Sequence, residues 1–208
     1  MQISQRGTSF TTVANGTYTL DRFNYRKSND GNVTVTQDSS GPDGFSNSLK
    51  VDVTTADSSL SASQLAILEY NVEAQDLQRL AFGTSGAKNF TLSFYVKSNK
   101  TGTYAVNISQ NDNSSKQATL NYTINSANTW EKKIVTIPGD TGGVGINADN
   151  GEGMRINFFL NAGSNFASTN TNGQWDTFAA GRHAFGHTAS WGTNTSHDFF
   201  LTGLQFEI

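Results

Sequence analysis

The sequence of 208 residues contains no cysteine, only two prolines and few charged residues. The absence of cysteine excludes a disulfide scaffold, a thiolate metal site and a catalytic cysteine. No apolar run approaches the roughly 20 residues that a membrane-spanning helix needs, so membrane insertion is not expected. Charged residues make up 15% of the chain, and this argues against a coiled coil or a helical bundle, which would be rich in Glu, Lys and Arg.

The formal net charge is only −3, from 14 Lys and Arg against 17 Asp and Glu. Because no basic excess exists, the sequence does not predict binding to nucleic acid or to an anionic membrane. The chain is polar instead through its 22 Asn, 25 Thr, 22 Ser and 20 Gly residues. Its 14 Phe, 6 Tyr and 3 Trp residues are enough to build a hydrophobic core, so generic disorder is not expected either.

Short segments in which apolar and polar side chains alternate recur along the chain. In residues 89–97 (NFTLSFYVK), for example, Phe90, Leu92, Phe94 and Val96 fall on one face. Similar segments lie at 17–26, 33–37, 48–53, 103–110, 118–124, 129–137, 154–161 and 199–208. Thr, Val, Ile, Phe and Tyr dominate them, as is typical of half-buried strands. We therefore predict an all-β protein, an antiparallel β-sandwich of about 9–10 strands, with residues 1–208 as a single domain.

The alternation also predicts which side chains form the core. Trp130 is included because it is followed by Glu131 and Lys132 in an alternating segment, a pattern that favours burial of the ring. The predicted core residues are Phe90, Leu92, Phe94, Val96, Tyr104, Val106, Trp130, Val135, Ile156, Phe158 and Leu201.

Two stretches depart from the alternating pattern. Residues 74–80 suit a single helical turn. Residues 163–197 are rich in Gly, Ser, Thr and Asn, yet they contain two of the three tryptophans and all three histidines. Loops of this length without secondary structure are usually functional or disordered. The aromatic residues favour function, or a short strand around 177–180.

Five strings occur in an order that resembles a known family. They are ISQRGTSF at 3–10, YTLDRF at 18–23, LSFYVKS at 92–98, NTWEKKIVTIPGDT at 128–141 and FFLTGLQFE at 199–207. Together they resemble a β-sandwich domain found towards the C-terminal ends of phage and prophage tail fibres. That domain is similar to a jelly-roll carbohydrate-binding module. The resemblance spans nearly the whole chain, and the string around Trp130 is its most specific part.

The resemblance implies a jelly roll on the virion surface that binds a bacterial cell-surface glycan as a receptor. It also implies contacts with other virion proteins and a homotrimer in the assembled particle, although no heptads are present to drive trimerisation. A structural virion component, such as a capsid decoration or fibre-assembly protein without glycan binding, fits the resemblance as well. The aromatic segment 163–197 favours the receptor-binding role. A free secreted carbohydrate-binding module is disfavoured because the first residues, MQISQRGTSF, lack an apolar signal segment.

We place the predicted ligand-binding site in the segment 163–197, because loops on a rigid scaffold often carry function. Aromatic residues between small residues are expected to be exposed, where a sugar ring can stack on them. Trp175 and Trp191 are the predicted stacking platforms. The candidates for hydrogen bonds to sugar hydroxyls are Asn172, Gln174, Asp176, Arg182 and His183.

Metal binding and catalysis are not predicted from the residues themselves. His183 and His187 are four apart, but neighbouring glycines argue against a helix and the Glu of a zinc-protease motif is absent. The resemblance implies at most a structural calcium ion between the first and last strands, with Asp21 and Glu207 as candidate ligands. No nucleophile motif is present, and the sequence cannot pair its scattered carboxylates, so we expect no enzyme activity and no cofactor.

Overall fold

The alternating segments form two antiparallel sheets that pack face to face. The structure, a computed structural model, describes residues 2–28, 31–110, 112, 116–171 and 173–208. The strands are β1 (Ser9–Phe10), β2 (Thr17–Tyr18), β3 (Phe23–Ser28), β4 (Asn32–Asp38), β5 (Ser48–Thr55), β6 (Leu65–Glu73), β7 (Phe90–Ser98), β8 (Gly102–Gln110), β9 (Lys116–Ile124), β10 (Glu131–Ile137), β11 (Glu152–Ala162), β12 (Asp176–Thr177) and β13 (Asp198–Glu207). Ten of these thirteen described strands have six residues or more, so the predicted antiparallel β-sandwich is confirmed.

Each sheet brings together strands that are distant in the sequence. The six-stranded sheet has the order β1-β4-β5-β13-β7-β10, and the seven-stranded sheet has the order β12-β9-β8-β11-β6-β3-β2. The C-terminal strand β13 lies inside the first sheet and pairs with β5 and β7. A 3-10 helix, Ala74–Leu80, follows β6 where the sequence predicts a helical turn. No helix in the part of the chain that the structure describes is both long and apolar enough to cross a membrane.

The core lies between the sheets and contains ten of the eleven predicted residues. Phe94, for example, is fully buried and makes edge contacts with Tyr122 and Phe158 of the opposite sheet. The prediction for Trp130 is wrong, because its ring is only half-buried and lies outside the core. The inward residues of β10 include Val135 and Ile137, so the even-numbered Trp130 falls on the outward side.

The segment 163–197, which we call the covering segment, runs over the outer face of the seven-stranded sheet. Its short strand β12 pairs with β9, and three 3-10 helices interrupt it at Ser164–Phe166, Ala180–Arg182 and Trp191–Thr193. Backbone carbonyls of the segment accept hydrogen bonds from side chains of β9, among them Gln117, Thr119 and Asn121. The segment is therefore an ordered cover over one half of this face.

A second, small apolar cluster lies under the covering segment. It consists of Ile67, Ala105 and Phe159 of the sheet with Ala184 of the segment, and Phe166 packs against it. These contacts explain why a glycine-rich segment is held against the sheet.

Candidate functional site

A cleft of about 440 Å³ opens on the outer face of the seven-stranded sheet, beside the covering segment. This volume lies within the usual range for small-molecule sites. Outward-facing residues of β3, β6, β8 and β11 form its floor, and the covering segment forms one wall. The side chains that line the cleft include Arg26, Glu69, Arg155, Asn157, Phe178 and His183.

A row of polar side chains runs across neighbouring strands of this face, and two of its members, Glu69 and Asn157, line the cleft floor. In register, Asn24 pairs with Glu69, Glu69 with Asn157, Asn157 with Asn107, and Asn107 with Thr119. All five are at most 6% exposed, which is unusual for a set of polar side chains on the outer face of a sheet. We call them the polar row.

Hydrogen bonds within and beside the polar row fix the orientation of its amides. Asn157 donates from Nδ2 to Asn107 Oδ1 at 3.1 Å and to Ser109 Oγ at 3.3 Å. Asn107 donates in turn to Thr119 Oγ1 at 2.9 Å and to Gln117 Oε1 at 3.2 Å. This network holds the amides of Asn157 and Asn107 in one rotamer each, so the part of the floor that Asn157 forms is preorganised.

Charged side chains surround the carboxyl group of Glu69. Arg26 Nη1 and Arg155 Nε lie 3.7 Å and 3.8 Å from the same oxygen, Glu69 Oε2. Burial raises the pKa of the Glu69 carboxyl, and the two arginines partly oppose this effect. Arg155 also lies 2.7 Å from Glu152 Oε1 at the rim.

Aromatic rings of the covering segment form the wall of the cleft. The Phe178 ring is 46% exposed, and its centroid lies 5.3 Å from that of His183. The His183 ring also contacts Phe159, at 5.0 Å between centroids. Burial lowers the pKa of His183 to about 4, and the charges of Arg155 and Arg26 add to this effect. His183 is therefore neutral at physiological pH.

The structure places the two predicted stacking platforms away from the cleft. Trp191 is 1% exposed, so the prediction that it is an exposed platform is wrong. Its ring fills the end of the sandwich beside Tyr25, Val33 and Val53, and long-range contacts of this kind are not visible in the sequence. Trp175 is half-buried against the core, where its Nε1 donates to the Pro138 carbonyl at 2.6 Å.

The predicted polar contacts are also dispersed. His183 lies in the cleft, whereas Arg182 Nη1 lies 3.4 Å from Asp176 Oδ1 in an ion pair within the covering segment. Gln174 is exposed in the turn before β12. Asn172 lies outside the described residues. The structure therefore brings His183, and none of the other described candidates, into the cleft lining.

Sequence reasoning missed the residues of the cleft floor. The segment MRINFFLN of β11 does contain their signal, because Arg155 and Asn157 alternate with the buried Ile156 and Phe158. The alternation does not reveal that β3, β6 and β8 lie beside β11.

Two other surfaces of the molecule differ from the cleft in their chemistry. One is an apolar cleft of about 480 Å³ between the sheets, lined mainly by side chains such as Phe23, Leu92 and Phe206. The other is the outer face of the six-stranded sheet, where Lys97 Nζ lies 4.0 Å from the ring centroid of Phe200 and 5.1 Å from that of Trp130. The lining of the first is mainly apolar, with polar side chains such as Asp21, Arg22 and Asp76 in the minority. In the second, the rings are already covered by an ammonium group.

The predicted calcium ligands have no cluster around them. Among the described residues, no group of three or more His, Asp or Glu side chains comes together as a metal site. Asp21 lines the mouth of the apolar cleft, and Glu207 accepts a hydrogen bond from Gln205. The calcium ion therefore stays a prediction from the resemblance. Both ring nitrogens of His187 are engaged, with the Ala105 N–H at 3.2 Å and the Ala189 carbonyl at 2.7 Å.

Comparison with known proteins identifies similar folds. No protein-family model matches the sequence, and no curated protein matches it. Solved structures with a similar fold include the enzymatically active domain of tailspike protein 4 of bacteriophage CBA120, with a TM-score of 0.50 and 14% identity. That match covers 95% of this chain but 21% of the tailspike chain, so this chain spans about a fifth of it.

Carbohydrate-binding modules also appear among the similar structures. The family 11 module of the cellulase Lic26A-Cel5E of Clostridium thermocellum gives a TM-score of 0.47 and 11% identity, covering 96% of this chain and 94% of the module. A xylan-binding domain of module family 22 gives 0.46 and 12%, covering 98% and 96%. At these identities the likeness is one of fold.

Proposed function

We propose that this protein is a non-catalytic, glycan-binding domain and that it binds its glycan in the polar cleft. The observation that carries the proposal is a lining with exposed polar side chains, such as Asn15 and Ser28, beside the exposed ring of Phe178. Oriented amides can bond sugar hydroxyls as donors and acceptors, while an exposed ring can stack on the C–H face of a sugar. The cleft offers both within one volume of about 440 Å³.

The absence of catalysis is part of the proposal. Hydrolysis of a glycosidic bond generally requires two carboxyl groups on opposite sides of the bond. Among the described residues that line the cleft, Glu69 is the only carboxylate. Glu152 lies at the rim, with its carboxylate against Arg155.

The biological setting proposed is the surface of a phage virion, where the glycan belongs to the bacterial host and the domain works as a homotrimer with other virion proteins. The tail-fibre resemblance of the sequence supports this setting. A single weak site would have a Kd on the order of 1 mM, or about −4 kcal/mol. Several copies on one particle would raise the avidity of adsorption.

The experiment is binding of the fluorescently labelled protein to an array of bacterial surface glycans. We expect Phe178→Ala to weaken binding at least about tenfold, because the loss of one stacking contact removes about 1.4 kcal/mol or more. Trp130→Ala on the opposite face is the matched aromatic control and should leave binding unchanged. Loss of binding in Trp130→Ala alone would move the site to the six-stranded sheet. No binding to any glycan would leave the structural virion role.

A further inference from the structure

The cleft is positively charged in a protein that is negative overall. Among the described residues that line it, three are cationic, Arg26, Lys27 and Arg155, and one, Glu69, is a carboxylate. Its neutral histidine, His183, adds no charge at physiological pH. The excess of positive charge persists when the rim carboxylate Glu152 is counted, whereas the whole chain has a net charge of −3.

Neither arginine makes a close hydrogen bond to Glu69, although Arg155 Nε lies 2.7 Å from Glu152 Oε1. The two arginines approach the Glu69 Oε2 atom from opposite neighbouring strands, Arg26 from β3 and Arg155 from β11, at 3.7 Å and 3.8 Å. These distances exceed those of ordinary N–H···O hydrogen bonds. The side chains remain 42% and 33% exposed, so both guanidinium groups can be reached from solvent.

The third cationic side chain of the cleft, Lys27, is already engaged in hydrogen bonds. Lys27 Nζ is bound to the carbonyl of Gly31 at 2.5 Å and to Asn32 Oδ1 at 2.9 Å, at the edge of the cleft. Arg26 is therefore the cation best placed to meet a ligand, with Arg155 beside it. Glu69 is 3% exposed and lies below them, where it holds the two guanidinium groups close together.

We propose that the cleft selects acidic glycans and binds the carboxylate of a uronic-acid residue between Arg26 and Arg155. This inference rests on the proposed glycan-binding function. A guanidinium group matches a carboxylate geometrically, and such charge-assisted hydrogen bonds are stronger than neutral ones. Exposed polar side chains of the lining, such as Asn15 and Ser28, bind the hydroxyl groups of the same sugar, and Phe178 contacts its C–H face.

The test uses a set of purified bacterial capsular polysaccharides, both neutral and uronic-acid-containing, with each acidic member also present in carboxyl-reduced form. Carboxyl reduction converts the uronic acid into the corresponding neutral sugar and leaves linkage and length unchanged. We expect binding to acidic members that falls at least about tenfold after reduction, and that weakens when the salt concentration rises from about 0.05 to 0.5 M. Equal binding to the reduced forms, or to neutral members alone, overturns the selectivity but leaves glycan binding intact. No binding to any member overturns both.

Variants locate the effect at the cleft. Arg26→Gln should weaken binding to the acidic polymer at least about tenfold, while Arg26→Lys keeps the charge and should recover part of the loss. Arg79→Gln removes the same charge from an exposed position in the helix Ala74–Leu80 and should bind like the wild type. Unchanged binding in Arg26→Gln, or an equal loss in Arg79→Gln, would contradict the proposal. Melting temperatures of the variants verify that all of them are folded.

Discussion

The outer faces of the two sheets follow the same alternating pattern but differ in how their side chains are satisfied. On the six-stranded sheet the outward aromatic rings are covered by lysines, as Lys97 lies over both Phe200 and Trp130. On the seven-stranded sheet, apart from the small apolar cluster around Phe159, the outward side chains are mainly amides, hydroxyls and ion pairs, represented by Asn157 and Glu69. Lysines of the six-stranded sheet itself cover its outward rings, whereas polar side chains of the seven-stranded sheet bind groups of another chain segment.

The covering segment supplies those groups to only half of the seven-stranded sheet. On β9, side chains such as Gln117 and Asn121 donate hydrogen bonds to carbonyls of the segment. On β3 and β11, Arg26 and Arg155 remain partly exposed beside the described part of the segment. The same polar surface thus binds a chain segment on one side and is open to a ligand on the other.

The largest expected effect is a difference in stability between variants of two tryptophans, Trp191 in the covering segment and Trp130 on the lysine-covered face. Trp191→Ala should lower the free energy of unfolding by about 3–5 kcal/mol, because a large ring is removed from a fully buried position. Trp130→Ala should cost about 1 kcal/mol, since its ring is half-buried. Urea denaturation of both variants measures the difference.

A further variant separates packing from hydrogen bonding at this position. The indole Nε1 of Trp191 is buried and has no hydrogen-bond partner among the described residues. Trp191→Phe should therefore cost far less than Trp191→Ala, because the phenyl ring fills most of the space and the unpaired N–H is gone. Equal costs for Trp191→Ala and Trp130→Ala would show that Trp191 does not anchor the covering segment.

The sequence allowed prediction of the inner faces but not of the outer ones. Alternation identifies Leu92 and Phe94 as core residues because burial between two sheets depends only on which side of the strand they occupy. For Asn157 it identifies the polar side, but its neighbours Glu69 and Asn107 come from strands far apart in the chain. The burial of Trp191 is not visible in the sequence for the same reason, since it depends on contacts with β3, β4 and β5.

The second expected effect is a loss of folding stability at acid pH, caused by His187 of the covering segment. Burial lowers the pKa of His187 to about 4, compared with 6.5 for the free side chain. Above pH 6.5 the ring is neutral in both folded and unfolded chains, so its contribution to stability is complete. As the pH falls from 6.5 towards 4, the unfolded chain takes up the proton first and stability decreases, by roughly 3 kcal/mol for this residue.

The measurement is the unfolding free energy of the wild type and His187→Gln between pH 7.5 and pH 4.5. The variant should show a smaller decrease over this interval, even if its stability at pH 7.5 is lower. Glu69 acts in the opposite direction, because its raised pKa favours the folded chain as the pH falls. Parallel pH profiles for the two proteins would show that His187 does not titrate on unfolding.

The smallest expected effect concerns the lysine cover of the six-stranded sheet. Lys97→Met keeps most of the apolar stem but removes the ammonium group that lies 4.0 Å from the Phe200 ring centroid. A cation–π contact at a partly exposed site contributes about 0.5–1 kcal/mol, so the variant should be destabilised by about that amount. A double-mutant cycle with Phe200→Leu isolates the contact, because the coupling energy should be lost when either partner is absent. If the two substitutions are simply additive, the ammonium group of Lys97 lies over the Phe200 ring without stabilising it, and this face is then not stabilised by its own cations.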